Sequence, residues 1–305
     1  MNRSHVRTFR LGAVSGLIGL AMITPLSSLA GDKLKAEEIV AKHLEAIGAS
    51  ETRGSVRSRI VAGRAVILLH SPGTAKLTGQ VVMASDGRKN TLGTTFEASA
   101  AFQDRFAFDG ANATVAFAAP GNHGYWGDFL YAHRDIIKEG LVGGVLSDSW
   151  PLLNAADKKL KLDYKGIKKI GSKSMHELKY ARGGSDLEIS ISFDAETFQH
   201  VRTEYSRTIS AGLGSGVVGT AAGQGANGRT QGGAVDASGQ QRTTRYKMVE
   251  EFADFKSESG LTLPHTYKVA LELDTSRGTL SVEWEFTLAD FAFNQPIPPE
   301  TFVTK

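Results

Sequence analysis

Strict two-residue alternation of apolar and polar side chains is the feature that most constrains this sequence. Over residues 187–193, Leu, Ile, Ile and Phe alternate with Glu and Ser, and the same pattern recurs over 267–273 and 282–288. Such alternation is typical of strands with one buried and one solvated face, which antiparallel sheets contain. Strands of a parallel sheet covered on both faces are instead apolar throughout. The sequence therefore predicts a large antiparallel sheet.

Further segments with strand-like patterns extend along most of the chain. They are 56–69, 77–83, 102–108, 113–118, 160–164, 176–180 and 200–205. Turn signals such as Ser85-Asp86-Gly87 and Asp109-Gly110 separate some of them. The number of strands far exceeds the number of segments with a helical period.

Two segments follow a helical period. Apolar residues recur at intervals of three and four over 36–47, and Gly48 supplies a helix stop. A second stretch, 126–154, is expected to form a helical excursion that ends before Trp150-Pro151. A large sheet with one apolar face must curl or be capped. We therefore predict an α+β fold: a large curved antiparallel sheet, an open half-barrel, with an N-terminal helix and a helical lid.

The N-terminal segment, 1–30, has the pattern of a secretory signal peptide. Arg3, Arg7 and Arg10 precede an uncharged apolar run over 11–23, and Ser28-Leu29-Ala30 places small residues where a signal peptidase reads. A bilayer span takes about 20 residues, so the run is short for one, although a retained membrane anchor is the alternative. We expect a signal peptide over 1–30 and a secreted or periplasmic protein that begins near Gly31.

Charge and cysteine content argue against several classes of protein. The arginines of 1–30 account for the net charge of +3, because 35 basic and 32 acidic residues are present in all. A nucleic-acid partner is not expected, since binding phosphates requires a concentrated positive surface. The absence of cysteine excludes disulfides, thiol nucleophiles and a lipid anchor on cysteine.

A Gly-rich segment at about 211–243 interrupts the strand pattern. Glycine is the most frequent residue over 212–239, followed by Ala. Such a composition buries too little apolar area to offset its ordering entropy, so we predict a flexible insertion within a single domain over 31–305. It is either a tolerated surface insertion or a mobile flap over a cavity mouth. Residues 214–219 match G-x-G-x-x-G, but the Gly-rich residues after them are not expected to form the helix that binds a pyrophosphate.

Motifs of known catalytic chemistry are not evident. Residues 133–135 imitate a kinase catalytic loop without the Asn that should follow. His123, Asp128, His133 and Asp135 lack the spacing of metal ligands. We therefore expect no metal, no cofactor and no enzymatic activity. The alternative is a secreted hydrolase whose catalytic residues come from distant segments.

Short motifs stand near the C-terminal end of the chain: an aromatic segment at 252–256, G-L-T-L-P at 260–264, F-N-Q-P-I at 293–297, and Phe302. They resemble the end of LolA/LolB-like outer-membrane lipoprotein-sorting proteins. The helix at 36–48 and the segment at 56–63 are similar to the start of these proteins.

The resemblance implies an open half-barrel whose helical lid closes over an apolar cavity for acyl chains. The candidate residues of the cavity and lid are Trp126, Phe129, Leu130, Ile189, Ile191, Trp284, Phe286 and Leu288. Ordinary core packing is the alternative role for each of them. Carriers of this family latch the lid with an arginine on an early strand, for which Arg57, Arg59 and Arg64 are the open candidates.

The expected function is that of a non-catalytic periplasmic carrier for a lipoprotein or a related lipid. Each methylene kept from water contributes about 0.8 kcal/mol, so a fatty chain needs a dry surface during transport. The expected partners are the lipid or lipoprotein cargo and proteins of the inner and outer membranes. The alternative is a lipid or lipoprotein sensor of the same fold that regulates a membrane partner.

Overall fold

Twelve strands form one antiparallel sheet in the computed structural model, which describes residues 34–70, 74–96, 103–182, 185–209, 244–275 and 278–304. The strands are β1 (Ser58–His70), β2 (Thr74–Asp86), β3 (Lys89–Phe96), β4 (Arg105–Phe108), β5 (Ala113–Val115), β6 (Leu162–Ile170), β7 (Lys173–Tyr180), β8 (Glu188–Asp194), β9 (His200–Ile209), β10 (Thr244–Glu258), β11 (Leu261–Thr275) and β12 (Gly278–Phe293). This architecture confirms the predicted antiparallel sheet.

The sheet consists of two meanders that meet in its middle. Its order is β5-β4-β3-β2-β1-β12-β11-β10-β9-β8-β7-β6, so the first strand pairs with the last. β5 and β6 are its two edges, and the sheet is therefore open. The alternation read from the sequence sets the faces, since Val282, Trp284 and Phe286 are buried on the inner face while the glutamates between them point outward.

Few helices accompany this sheet. They are α1 (Ala36–Ile47), α2 (Ser50–Ser55), α3 (Tyr125–Ala132), α4 (Arg134–Lys138) and α5 (Ala155–Lys158), with 3-10 turns at Gly144–Leu146, Pro151–Asn154 and Pro299–Phe302. α1 has the predicted bounds and buries Ile39, Val40 and Ile47. The α+β fold with an N-terminal helix and a helical excursion is thus confirmed.

The helical excursion is longer than predicted. It comprises residues 125–158, which we call the lid, and it continues through Trp150-Pro151. The prediction that it ends there is wrong because Pro151 occupies the first position of a 3-10 turn. A proline is favoured at that position, where its missing N–H has no helical partner to lose.

The core lies between the inner face of the sheet on one side and α1 and the lid on the other. Aromatic side chains from both layers are fully buried there. The largest are Trp126, Phe129 and Trp150 of the lid and Tyr205, Tyr267, Trp284 and Phe286 of the sheet. Burial of a large apolar side chain contributes about 1.5–3 kcal/mol, so this contact is the main source of stability.

A C-terminal tail, residues 294–304, returns across the outer face of the first meander. The side chain of Asn294 accepts a hydrogen bond from the N–H of Arg57 at 2.8 Å. Phe302 is buried, with the ammonium of Lys89 5.8 Å from its ring centroid, and Arg105 donates to the carbonyl of Thr301. The tail thereby covers part of the outer surface of β3 and β4.

Two predictions lie outside the described residues, namely the signal peptide over 1–30 and the Gly-rich insertion over 211–243. They stay predictions, as does the single domain over 31–305. The ends of the insertion are nevertheless defined, because Ile209 of β9 is the pairing partner of Thr244 of β10. Within the described part of the chain, no helix has the length and apolar character needed to cross a membrane.

Candidate functional site

The eight candidate cavity and lid residues are all buried in the core that covers the inner face of the sheet, each exposed by 1% or less. The lid packs directly onto β12, since the ring of Trp126 lies 5.7 Å from that of Trp284 and 6.1 Å from that of Phe286. Ile189 and Ile191 face the same side of the sheet on β8, four strands away from β12. The structure therefore places the candidates on one surface but brings only some of them together.

The expected hollow between lid and sheet is occupied by the side chains of the lid. Trp126, Phe129 and Trp150 are fully buried against the inner face. A cavity at the margin of this contact, lined by Met83 and Val142 among others, measures about 10 Å³. That volume holds about one water molecule. The inner face is therefore accessible only after the lid has moved.

The closed contact contains polar atoms that lack partners. The indole nitrogens of Trp126, Trp150 and Trp284 are buried without a hydrogen-bond acceptor among the described residues. An unsatisfied buried donor costs about 1–3 kcal/mol.

An ion pair fastens the lid to β1. Arg59 is buried on the inner face, with its guanidinium 2.9 Å from the carboxylate of Asp148. It also donates to the carbonyl of Val145, and the N–H of Asp148 donates to Ser85 Oγ at 2.9 Å. Burial lowers the pKa of Arg59 and raises the pKa of Asp148, and each partner's charge opposes that shift. The pair therefore depends on both members to remain charged in the core.

The other two latch candidates lie elsewhere. Arg57 is exposed ahead of β1, and Arg64 is exposed on the outer face of that strand. Among the described residues, Arg59 is the candidate whose side chain contacts the lid. The latch role itself stays a prediction.

A buried carboxyl group fastens the lid to the second meander. Glu250 on β10 is fully buried and accepts hydrogen bonds from the hydroxyls of Tyr205 at 2.7 Å and Tyr267 at 2.5 Å. The backbone N–H of Gly143, in the lid, donates to the same carboxyl group at 2.8 Å. Burial raises the pKa of Glu250 to about 7, against the effect of these three donors.

Two further polar contacts hold α3 and α4. Asp104 accepts a hydrogen bond from the N–H of Gly127 at 3.0 Å, and burial raises the pKa of this carboxyl to about 7. The side-chain amide of Asn90 on β3 donates to the carbonyl of Ile137 at 3.1 Å. The lid is therefore attached to the sheet at several separate points.

A cluster of buried imidazoles lies below the lid. The His200 ring stacks on Trp150 at 4.8 Å, and the His43 ring lies 4.7 Å from Phe193. Burial lowers the pKa of His43 to about 4 and holds the pKa of His200 well below its usual value. Both rings are therefore neutral near pH 7 and belong to the core.

The sequence motifs that imitate catalytic sites lie in the lid and near it. Asp135 is exposed and 3.2 Å from the guanidinium of Arg182. No group of three or more His, Asp or Glu side chains in the described ranges is arranged to hold a metal ion. The expectations of no cofactor and no enzymatic activity stay predictions.

Open grooves lie on the opposite side of the sheet. One of about 830 Å³ is lined by outward-facing side chains that include Arg64, Val66 and Gln80. A neighbouring groove of about 420 Å³ is lined in part by Val82 and Phe117, both exposed. The outer face therefore carries recesses that the sequence did not predict.

Sequence reasoning also missed the polar residues that fasten the lid. For Glu250 a signal existed, because it lies between Met248 and Phe252 in a strand whose alternate positions face the core. A charged residue in such a position must find partners on burial. For Asp148 no comparable signal exists, since its neighbours in the lid have no simple period.

Comparisons with protein-family models and with curated proteins found no match. Comparison with solved structures found similar chains. Among the similar structures are LolA-superfamily and lipoprotein-sorting domains.

Three of these structures illustrate the range of sequence identity, coverage and TM-score. A Vibrio parahaemolyticus domain provisionally named for outer-membrane lipoprotein sorting is 10% identical, with 86% of this chain and 97% of that one covered and a TM-score of 0.41. A LolA-superfamily protein from Nitrosomonas europaea is 12% identical, with 89% and 98% covered and a TM-score of 0.40. A MucA/MucB complex from Pseudomonas aeruginosa is 9% identical over 84% and 99%, with a TM-score of 0.22.

Proposed function

We propose that this protein is a non-catalytic periplasmic carrier that binds acyl chains of a lipoprotein or a related lipid. In this proposal the chains bind the inner face of the sheet after the lid moves aside. The supporting observation is that the apolar inner face is covered by α1 and the lid, and that the lid is attached through separate polar contacts. The segments at both chain ends that resemble lipoprotein-sorting proteins agree with cargo of this kind.

The closed lid acts in this proposal as a substitute for cargo. Trp126 covers Trp284 and Phe286, and an acyl chain would cover the same surface when the lid is open. Each buried methylene contributes about 0.8 kcal/mol, so a long chain offsets the loss of the lid contact. Return of the lid would then expel the chain. In this proposal the acyl chain binds when the lid is open and is released when the lid closes.

A first test uses the protein as purified. Lipids extracted from it and identified by mass spectrometry are expected to include acylated species. The emptied protein is expected to take up a fluorescent fatty acid. A protein that carries no lipid and takes up no probe would contradict both the carrier and the sensor. A secreted hydrolase would instead convert an ester substrate, so turnover without retained lipid would favour that alternative.

The role of the Arg59 contact provides a sharper prediction. Arg59→Leu removes the ion pair and the bond to Val145, and leaves Asp148 without its partner. Breaking a buried pair in this way costs about 3–5 kcal/mol, so the lid should open more often. We expect faster uptake of the fluorescent fatty acid and faster proteolysis within residues 125–158. Both are measured against the unmodified protein.

Arg64→Leu is the matched control, because Arg64 lies on the same strand but faces outward. It is expected to change neither rate. Asp148→Asn breaks the same ion pair from the lid side and covers the case in which Arg59→Leu does not fold. Uptake that is equally fast in the Arg59, Asp148 and Arg64 variants would remove the basis for a latch.

A sensor that regulates a membrane protein is the second candidate function. The observation that favours it is the exposed apolar pair Val82 and Phe117 beside a groove on the outer face. A protein partner that covers this groove would bury both side chains. Crosslinking in the periplasm separates the two functions, since a sensor is expected to yield one membrane partner and a carrier partners in both membranes.

A further inference from the structure

The edge of the second meander carries a concentration of lysines. Residues 158–173, which we call the basic hairpin, comprise α5's last residue, β6 and the turn to β7. Its lysines are all exposed, and Asp163 is its one acidic residue. They are Lys158, Lys159, Lys161, Lys165, Lys168, Lys169 and Lys173. Because basic and acidic residues balance after residue 30, the rest of the protein is acidic overall.

Most of this charge is not neutralised locally. Lys165 pairs with Asp163, and Lys168 lies 2.6 Å from the carboxylate of Glu177. Lys161 and Lys169 form no ion pair with another described residue. The surface therefore presents an excess of positive charge to an external partner.

An exposed apolar side chain lies in the middle of these lysines. Ile167 is 59% exposed, and Ile170 near the turn is partly exposed. Lysines alone would be enough to keep an edge strand from pairing with other chains. An exposed β-branched residue on the same edge works against that purpose. Apolar and basic groups together are the combination that binds the interface of an anionic bilayer.

The geometry of β6 disfavours a partner strand at this edge. A β-bulge lies between Tyr164 and Gly166, and Gly166 has φ +92°. A bulge interrupts the regular row of backbone groups that an added strand needs. Register also places Lys168 and Lys169 on opposite faces of the hairpin. A rigid acidic strand would meet one of these faces, whereas mobile lipid headgroups can surround both.

We propose that the basic hairpin docks this protein onto an anionic bilayer surface. The lysines would contact lipid phosphates, and Ile167 would enter the interfacial region. This inference goes beyond the carrier function, because docking requires no movement of the lid. It would place one edge of the sheet against the membrane from which an acyl chain comes or to which it goes.

The experiment is co-sedimentation of the full chain with lipid vesicles. The unmodified protein is expected to bind vesicles of phosphatidylcholine and phosphatidylglycerol. It is expected not to bind vesicles of phosphatidylcholine alone. High salt should release it, because screening weakens contacts between exposed charges. Replacing Lys161, Lys165 and Lys169 together by Gln should weaken binding on the order of 100-fold, at the attraction expected per lysine. Ile167→Ser should weaken it roughly tenfold through loss of apolar burial.

A matched control removes the same charge elsewhere. Lys76, Lys256 and Lys268 are exposed on other strands, and their combined replacement by Gln is expected to preserve vesicle binding. Equal loss in both triple variants would mean that net charge alone acts and would overturn the proposal. Absence of vesicle binding would also overturn the proposal. The lysines would then serve only to protect the edge strand or to bind an acidic protein. Uptake of a fluorescent fatty acid without vesicles should be the same in all variants, and its failure would concern the carrier function alone.

Discussion

The carboxyl group of Glu250 shows how a single residue can couple the two layers of this protein. It is fully buried, and its three hydrogen-bond donors come from two strands and from the lid. Its pKa of about 7 means that it changes charge near neutral pH. Protonation of this one carboxyl group therefore removes a negative charge from the contact between lid and sheet.

The first stability prediction concerns the dependence of the free energy of unfolding on pH. The pKa of Glu250 is raised from 4.5 to about 7, so the folded state keeps a proton that the unfolded state has released over that interval. The free energy of unfolding therefore falls as pH rises from about 4.5 to 7, by on the order of 3 kcal/mol from this group. Glu250→Gln removes this contribution, and urea unfolding at pH 5 and pH 8 measures the difference.

Glu283→Gln is the control, because Glu283 lies on the outer face of β12 and is half-exposed. In the Glu283→Gln variant, the free energy of unfolding should change between pH 5 and pH 8 as it does in the unmodified protein. The two buried histidines act in the opposite sense, but they are present in every variant compared. A Glu250→Gln variant with an unchanged difference between pH 5 and pH 8 would contradict the prediction.

At the residue scale, the sequence predicted which strand residues are buried in the candidate site but not which arginine contacts the lid. Strand alternation placed Trp284 and Phe286 on the buried face, because that pattern depends only on neighbouring residues. It left Arg57, Arg59 and Arg64 open, since a charged residue can be buried only where a partner meets it. That partner, Asp148, comes from the distant lid, so the local sequence of β1 does not encode it.

Among the elements, the strands with clean alternation were the most predictable. β8, β11 and β12 were identified, whereas β3 was missed. Its inward positions include Asn90 and Thr94, which have a polar rather than an apolar pattern. The side-chain amide of Asn90 donates a hydrogen bond to the carbonyl of Ile137 in the lid. Tertiary contacts with the lid thus hid a strand from sequence reasoning.

β6 was predicted to end at residue 164 but extends to Ile170. The bulge at Tyr164/Gly166 interrupts the alternation, and lysines replace the apolar positions beyond it. An edge strand has one unpaired side and one neighbour, so its sequence is less constrained by burial.

The second stability prediction concerns the turn of the lid at Gly140. This residue has φ +72°, and an added Cβ would lie 2.3 Å from the carbonyl oxygen of Ser149. Gly140→Ala therefore combines backbone strain with a backbone clash, and is expected to cost roughly 3 kcal/mol. Thermal unfolding and proteolysis within the lid measure the effect.

Gly87→Ala isolates the strain alone. Gly87 has φ +58° in the β2–β3 turn, with no atom within 4 Å of an added Cβ. It is expected to cost roughly 1 kcal/mol. If both alanine variants lose equal stability, the close approach of the lid at Ser149 is not a constraint.

At the scale of the whole molecule, the Gly-rich insertion leads to a third stability prediction. Ile209 and Thr244 already pair across β9 and β10, so strand register does not depend on the length of chain between them. Deleting residues 220–239 should leave the melting temperature nearly unchanged, because halving a loop changes its closure free energy by only about 0.6 kcal/mol. A large fall would mean that the segment packs on the core.

The pairing of β1 with β12 has a consequence for the order of events during folding. β1 ends at His70, and its second partner is the final strand, which begins only at Gly278. Contacts between such distant residues form slowly, since they must close the longest loop. Each meander can assemble by hairpins of neighbouring strands, but the seam between them closes last. A chain that emerges from a pore with its N-terminus first therefore completes its sheet only after nearly all of it has crossed.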